Sequence, residues 1–351
     1  MNDTLLYLSP YEIPLAAEEV DAVDAVREAL ALHARGKARV ASEAHLTWNP
    51  PGGGDARSIS MPGLLDGELA SIGVKIINAN TANPEAGLPR ASGLTVIFDT
   101  GTARPRCVLA AGYISALRTA AVSVLASQYL IASHATTAAV IGAGPLAREH
   151  CALIASRIPQ ITRILVFDSV PGRAGKLCQD LAGEVPPGRV SFSPADSARS
   201  AASQCDLLVT CTTTRTPYVE RDWLRDGALA VNVSLDDLSQ DVLTSADRLY
   251  VDDWGLIAED PHRLLGKLAR AGRVLPPGAD PGAGPGGDAG TQARAVTGTL
   301  GQLVLGQCPG RESDNELCVV NPFGLAIEDI SLAHRIYLVA KRRKIGRDLP
   351  F

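Results

Sequence analysis

The chain has 351 residues, 46% hydrophobic and 20% charged, a globular composition that can fill a sizeable core and excludes disorder as the overall state. Thirty-three Lys and Arg stand against 38 Asp and Glu, a net charge of −5, which leaves no basic surplus for nucleic acid, polyanions or a membrane surface. At roughly 150 residues per domain the length predicts two domains, and with aromatics at 4% their cores must rest on Ala, Val, Leu and Ile.

In chain order, Thr4–Leu8 predicts a short strand. Residues 18–35 predict a helix, with Val23, Val26 and Leu30 on one face and Gly36 as its stop. β-rich stretches follow at 38–48, 57–61 and 73–79, the first two separated by the Asn49–Gly54 turn run and the second ending at a Met61-Pro62 turn. Strands at 93–98 and 106–109 flank Asp99-Thr100-Gly101. An Ala-rich helix is expected at 115–130. These residues predict a mostly antiparallel sheet with two helices.

The pattern changes near residue 136. Strand candidates at 137–143, 164–168, 190–192, 206–211, 228–233 and 248–251 alternate with helical stretches. That βαβ alternation predicts a parallel sheet covered on both faces. The Gly/Pro-rich run at 276–291 is too poor in apolar residues to pack and reads as a mobile loop. A strand at 317–320 and a long helix at 324–343 close the chain.

The odd, scattered set of seven Cys, without a CxxC pair, fits free thiols in a reducing cytoplasm. No apolar run reaches the roughly 18 residues of a spanning helix, and the first residues lack a basic-then-apolar leader pattern. The six His are dispersed, so no metal site is expected.

Gly142-Ala143-Gly144-Pro145-Leu146-Ala147 is a GxGxxA form of the dinucleotide fingerprint, and it follows a β-run and opens a helix. Gly142 serves the tight turn, Gly144 the approach to a pyrophosphate, and Ala147 close helix–strand packing. Asp168 ends the next strand, where a carboxylate accepts the ribose hydroxyls and repels a 2′-phosphate. NAD is therefore expected over NADP, with Arg173 close by in sequence to soften that preference.

Five further residues draw attention. Lys75 is a charge within the apolar run Gly73–Ile77, and is either an edge-strand lysine facing water or a partner for an anion. Arg118, the one charge in a small-residue helix start, suits a substrate carboxylate or a structural ion pair. Arg57 offers a second guanidinium, or a plain surface one. Asp236 and Asp237 follow the strand at 228–233, where a carboxylate serves as general base or as a helix cap.

Lys75, the Ser115–Ala121 segment around Arg118, the Gly142–Ala147 loop and Gly324–Asp329 together resemble the ornithine cyclodeaminase/μ-crystallin family, over nearly the whole chain. Within it the chain looks most like the branch that makes 2,3-diaminopropionate for siderophores. The branch-like segments are 5–13, 56–63, 89–93, 115–126, 209–224, 251–254, 309–316 and 321–331. The resemblance implies an α/β protein: a Rossmann NAD-binding domain at 133–315, and an N-terminal α+β substrate and dimerisation domain at 1–132, completed by 316–351. It implies a homodimer acting on a small anionic amino acid.

The implied reaction is NAD-dependent oxidative cleavage of N-(2-amino-2-carboxyethyl)-L-glutamate to L-2,3-diaminopropionate and 2-oxoglutarate. By the same resemblance Lys75 and Arg118 hold the carboxylate at the reacting carbon, and Arg57 and Arg90 hold the others. Asp237 manages water and protons, and Thr119, Thr212 and Val233 join the cofactor side. Ornithine cyclodeamination, ketimine reduction or an amino-acid dehydrogenase activity, and a non-catalytic cofactor-binding role are the alternatives.

Overall fold

A computed structural model describes residues 4–280 and 293–351; most of the Gly/Pro-rich run, 281–291, lies outside the described residues. The strand β1 (Thr4–Leu8) leads into a short helix α1 (Glu12–Ala17), then α2 (Ala22–Ala34). The predicted helix at 18–35 thus starts later. Asp21 caps it, its carboxylate accepting from the amides of Val23 and Asp24 at 3.0 and 3.1 Å. The unexpected α1 has its own signal, Ser9-x-x-Glu12, in which Glu12 accepts from the Ser9 amide at 2.9 Å.

The next stretch is β2 (Ala38–Val40), β3 (Ala44–Trp48), β4 (Ala56–Leu65), β5 (Ser71–Asn80), β6 (Ala91–Phe98), β7 (Pro105–Ala110) and the helix α3 (Ala111–Leu130). No turn occurs at Met61-Pro62, which lies inside β4. Proline is tolerated there because the outer edge of β4 pairs with β3 up to Ser60 and with β2 only from Gly63.

From residue 137 strands and helices alternate: β8 (Thr137–Ile141), α4 (Pro145–Arg157), β9 (Arg163–Phe167), α5 (Arg173–Ala182), β10 (Ser191–Pro194), α6 (Ala198–Ser203), β11 (Leu207–Thr210), β12 (Leu229–Asn232), α7 (Gln240–Ser245), β13 (Arg248–Val251), α8 (Trp254–Glu259) and α9 (Leu264–Arg270). A two-stranded pair follows, β14 (Val274–Leu275) with β15 (Arg294–Ala295), then β16 (Gly298–Thr299), α10 (Leu300–Val304) and β17 (Cys318–Val320). The chain ends with α11 (Ala326–Arg343) and an unexpected strand β18 (Arg347–Pro350).

Two units emerge, Met1–Arg118 with Gly324–Phe351, and Thr119–Phe323. The sequence places these cuts at 132/133 and 315/316 instead. β17 belongs to the second unit because it pairs between β12 and β13.

In the first unit a sheet runs β18-β1-β7-β6-β5-β4-β2, with β3 also on β4. It is antiparallel except where β1 meets β7. α11 lies on the face that carries Ile59, Met61, Gly63 and Lys75. Gly63 eases that approach, since a Cβ there would stand 3.0 Å from Ile330 Cδ1 and push it aside by a few tenths of an ångström.

In the second unit the order is β10-β9-β8-β11-β12-β17-β13-β16, every pair parallel. Runs such as Leu207–Thr210 and Leu229–Asn232 are buried at every position, as a sheet covered on both faces requires. The chain leaves β8 first toward β9 and returns on its other side as β11. That makes the carboxyl ends of β8 and β11 the switch point where ligands bind such sheets. Among the described residues no helix is long and apolar enough to cross a membrane.

Candidate functional site

The nucleotide loop lies at the switch point. Gly142 takes φ +110°, and a Cβ there would sit 2.7 Å from the Cys211 carbonyl oxygen at the end of β11. Only glycine fits both the dihedral and the neighbour. Gly144 caps α4 and Pro145 opens it, where a missing amide hydrogen costs nothing. Leu146 lies in the first turn, its carbonyl accepting from or facing His150 Nδ1 at 2.8 Å. Ala147 is fully buried against the sheet. Nothing stands within 4 Å of a Cβ built on Gly144, so the helix N-terminus is open to an anion.

Asp168 follows β9 directly. Its Oδ2 accepts from the Ala143 amide at 2.8 Å and its Oδ1 from the Val170 amide at 2.8 Å. The carboxylate is thereby fixed beside the loop, with lone pairs left over for ribose hydroxyls. A cavity of about 440 Å³ adjoins it, walled by Phe167, Val170, Pro171 and Ala195 among others. Arg173 opens α5, is exposed, and does not line that cavity. These features fit a dinucleotide.

Asp237 is fully buried beyond the end of β12. Its Oδ1 accepts from Thr212 Oγ1 at 2.6 Å and Tyr218 Oη at 2.9 Å, while its Oδ2 has no hydrogen-bond partner. Burial pushes this carboxyl above the usual aspartate range, against the pull of the Thr212, Tyr218, Ser234 and Thr210 hydroxyls. A buried carboxylate with one oriented oxygen and one unpartnered oxygen is suited to exchange a proton with a group brought against it. Thr212, a cofactor candidate by sequence, here orients Asp237. Val233, the other candidate beside it, is half-buried just past β12. Asp236 is a helix cap instead, its Oδ1 accepting from the Leu264 amide at 2.7 Å and securing the start of α9.

In the first unit Lys75 occupies the middle of β5, opposite Met61 on β4 and Thr95 on β6. It is 2% exposed, which rules out an edge lysine facing water. Its Nζ donates to Asp329 Oδ2 at 2.9 Å and lies 3.4 Å from Ser115 Oγ. Arg118 Nη1 donates to Glu328 Oε2 at 2.7 Å, and its Nε stands 3.1 Å from the same Asp329 oxygen. Burial pushes the Lys75 ammonium toward the neutral form; Asp329 opposes this and Arg118 adds to it. Arg118 is therefore in an ion pair, and the cluster sets two buried cations against two buried acids.

Glu328 and Asp329 escape sequence reasoning as partners of these cations. The available signal is a pair of acids flanked by Ile327 and Ile330 in the first turn of α11, both fully buried. Arg57 is half-buried on β4, on the same sheet face as Lys75, and pairs with Ala79, four residues along β5. Arg90 is exposed just before β6, and Thr119 is half-buried on α3.

The ornithine cyclodeaminase/mu-crystallin family model matches residues 10–344. The chain is 33% identical to N-((2S)-2-amino-2-carboxyethyl)-L-glutamate dehydrogenase of Staphylococcus aureus (strain NCTC 8325 / PS 47), over 99% of each chain. The crystal structure of CmnK superposes with a TM-score of 0.86 at 33% identity, covering 99% of this chain and 98% of that one. An archaeal alanine dehydrogenase dimer with bound NAD gives 0.80 at 26% identity, covering 99% and 100%. The chain belongs to the ornithine cyclodeaminase/mu-crystallin family.

Proposed function

We propose that the protein cleaves N-(2-amino-2-carboxyethyl)-L-glutamate oxidatively to L-2,3-diaminopropionate and 2-oxoglutarate, for a siderophore or peptide natural product. It is an NAD-dependent oxidoreductase acting on an amino-acid substrate. The observation that carries the choice of substrate is the 33% identity, end to end, with the Staphylococcus aureus dehydrogenase.

NAD, when bound, supplies the acceptor for the hydride of the glutamate Cα. Gly142, Gly144, Pro145, Leu146 and Asp168 would hold it, with Thr119, Thr212, Val233 and Arg173 as further contacts. Lys75 and Arg118 bind the carboxylate of the reacting carbon, and Arg57 and Arg90 take the others. Water adds to the imine carbon, and Asp237 Oδ2 accepts its proton. The same oxygen returns a proton to the departing nitrogen as the C–N bond breaks, and the hydroxyl left on carbon gives up its own proton to solvent as the 2-oxoglutarate carbonyl forms. A pKa raised by burial makes this carboxylate a better proton acceptor than an ordinary aspartate.

Dimerisation through the first unit is supported by the sheet face turned away from α11. Ile72, Val74, Ile76, Leu94 and Val96 share it half-buried or exposed, an apolar surface that a second copy would cover. The unpaired thiols support a cytoplasmic location.

An ornithine cyclodeaminase or ketimine reductase is the second reading. The cluster at Asp329 balances cations with acids, which suits a zwitterionic substrate better than a tricarboxylate. Purified protein with NAD and N-(2-amino-2-carboxyethyl)-L-glutamate should form NADH, 2-oxoglutarate and diaminopropionate. Absence of NADH there, with proline and ammonia from ornithine in a parallel reaction, would overturn the first reading in favour of the second.

A further inference from the structure

We propose that Asp196 reads the base of the dinucleotide, its carboxylate accepting a hydrogen bond from the exocyclic amine of adenine. The inference rests on Asp168 holding the adenosine ribose. β9 and β10 are parallel neighbours with Val166 opposite Pro194, and the Ala195 amide donates to the Val166 carbonyl at 2.8 Å. That register carries Asp196 abreast of Asp168, one strand further from the nucleotide loop. Both acids line the same cavity of about 440 Å³.

The two carboxylates differ in what engages them. Asp168 is committed to the Ala143 and Val170 amides. The Asp196 carboxylate has no hydrogen-bond or ion-pair partner among the described residues, and no Lys or Arg is among the described residues lining the cavity. Its lone pairs are therefore open to a ligand donor. The walls between, Phe167, Val170, Pro171 and Ala195, are apolar, as a flat heterocycle requires.

Adenine presents an amine at position 6, a donor that a carboxylate accepts. Hypoxanthine presents a carbonyl oxygen there, which a carboxylate repels. Asp196 thus selects adenine by attraction and rejects the oxo-purine by repulsion.

The test is a fluorescence titration of the full-length protein with NADH and with reduced nicotinamide hypoxanthine dinucleotide. Wild type should bind NADH about tenfold tighter, the lower end for a hydrogen bond to an exposed charged group. Asp196→Ala should weaken NADH alone and shrink the gap to about twofold. Asp196→Asn, whose amide offers a donor or an acceptor, should also lose most of the gap. Asp168→Ala should weaken both ligands equally and preserve their ratio. Equal affinities in wild type, a gap that survives in Asp196→Ala, or equal weakening of both ligands by that variant would overturn the proposal. If Asp168→Ala leaves both affinities unchanged, the ribose placement fails and the reading of Asp196 falls with it. Asp196 is exposed, so neither substitution disturbs the core.

Discussion

Asp329 Oδ2 accepts from Lys75 Nζ at 2.9 Å, joining residues 254 apart in sequence, and the same oxygen lies 3.1 Å from Arg118 Nε. One oxygen atom thus faces two buried cations. Removing its charge leaves them to repel each other in a site with little solvent. Asp329→Asn should cost about 3–5 kcal/mol, as loss of one partner from a buried ion pair does. Thermal unfolding measures this, and Asp329→Glu should recover part of the loss. An unchanged Tm in Asp329→Asn would show that the cluster is solvated.

Lys75→Ala separates substrate binding from cofactor binding. Lys75 lies in the first unit and the nucleotide loop in the second. The variant should lose about a hundredfold or more in kcat/KM, since on the proposed assignment a charge-assisted bond to the substrate carboxylate disappears. NADH affinity, followed by fluorescence, should stay near the wild-type value. Full activity in Lys75→Ala would remove it from the substrate site.

The sequence makes the second unit more legible than the first, for a physical reason. Strands buried on both faces are short apolar runs such as Leu207–Thr210, and the glycine loop marks where the first one ends. In the first unit the pattern is weaker. Residues 38–48 hold two strands, β2 and β3, because Ala41-Ser42-Glu43 interrupts the pairing with β4. Pro62 resembles a turn residue until the partners of β4 are known. β18 carries Arg347 and Asp348 and is exposed throughout, so it lacks an apolar alternation to betray it. Lys75 and Arg118 stand out locally as charges in apolar surroundings. Their acids do not, because the pairing is made by α11 folding back over β4 and β5, and no local periodicity encodes a contact of that range.

Gly142→Ala tests the loop. The substitution forces an alanine into φ +110° and its Cβ to 2.7 Å from the Cys211 carbonyl oxygen. Strain of this kind costs about 1–3 kcal/mol, so Tm should fall. NADH affinity should fall with it, because relief requires the loop to move away from the end of β11. A Gly144→Ala control, with no atom within 4 Å of the new Cβ, should keep the stability. Wild-type Tm and affinity in Gly142→Ala would contradict the role given to this glycine.

Asp168→Ala tests cofactor choice. The carboxylate repels a 2′-phosphate, and Arg173 at the start of α5 is the first cation after it in sequence. Removing Asp168 should weaken NADH and raise the NADPH-to-NADH affinity ratio about tenfold or more, given the worth of one charge-assisted contact. Adding Arg173→Ala should reverse the gain for NADPH. If the single variant weakens both cofactors equally, Asp168 orders the loop through the Ala143 amide without choosing between them.

Asp237 gives a pH signature with a definite sign. Burial raises its pKa above the usual aspartate value, so between the two values the folded state keeps a proton that the unfolded chain has lost. Its contribution to stability is full below the unfolded pKa and is lost as pH rises through the folded one. Asp237→Asn stays neutral, so its stability relative to wild type should improve as pH rises through that window. On the proposed mechanism activity runs the other way, because there the carboxylate activates the water. The acid limb of kcat/KM should therefore lie above the ordinary aspartate range in wild type. Asp237→Asn should lose that limb together with about 10²–10⁴-fold in rate, the usual share of a positioned acid–base group. Tyr218→Phe, which removes one of the two donors to Oδ1, should move the limb further up, since a bond that lowers the pKa is gone. A limb at the ordinary value, or one that persists in Asp237→Asn, would assign the proton transfer to another group.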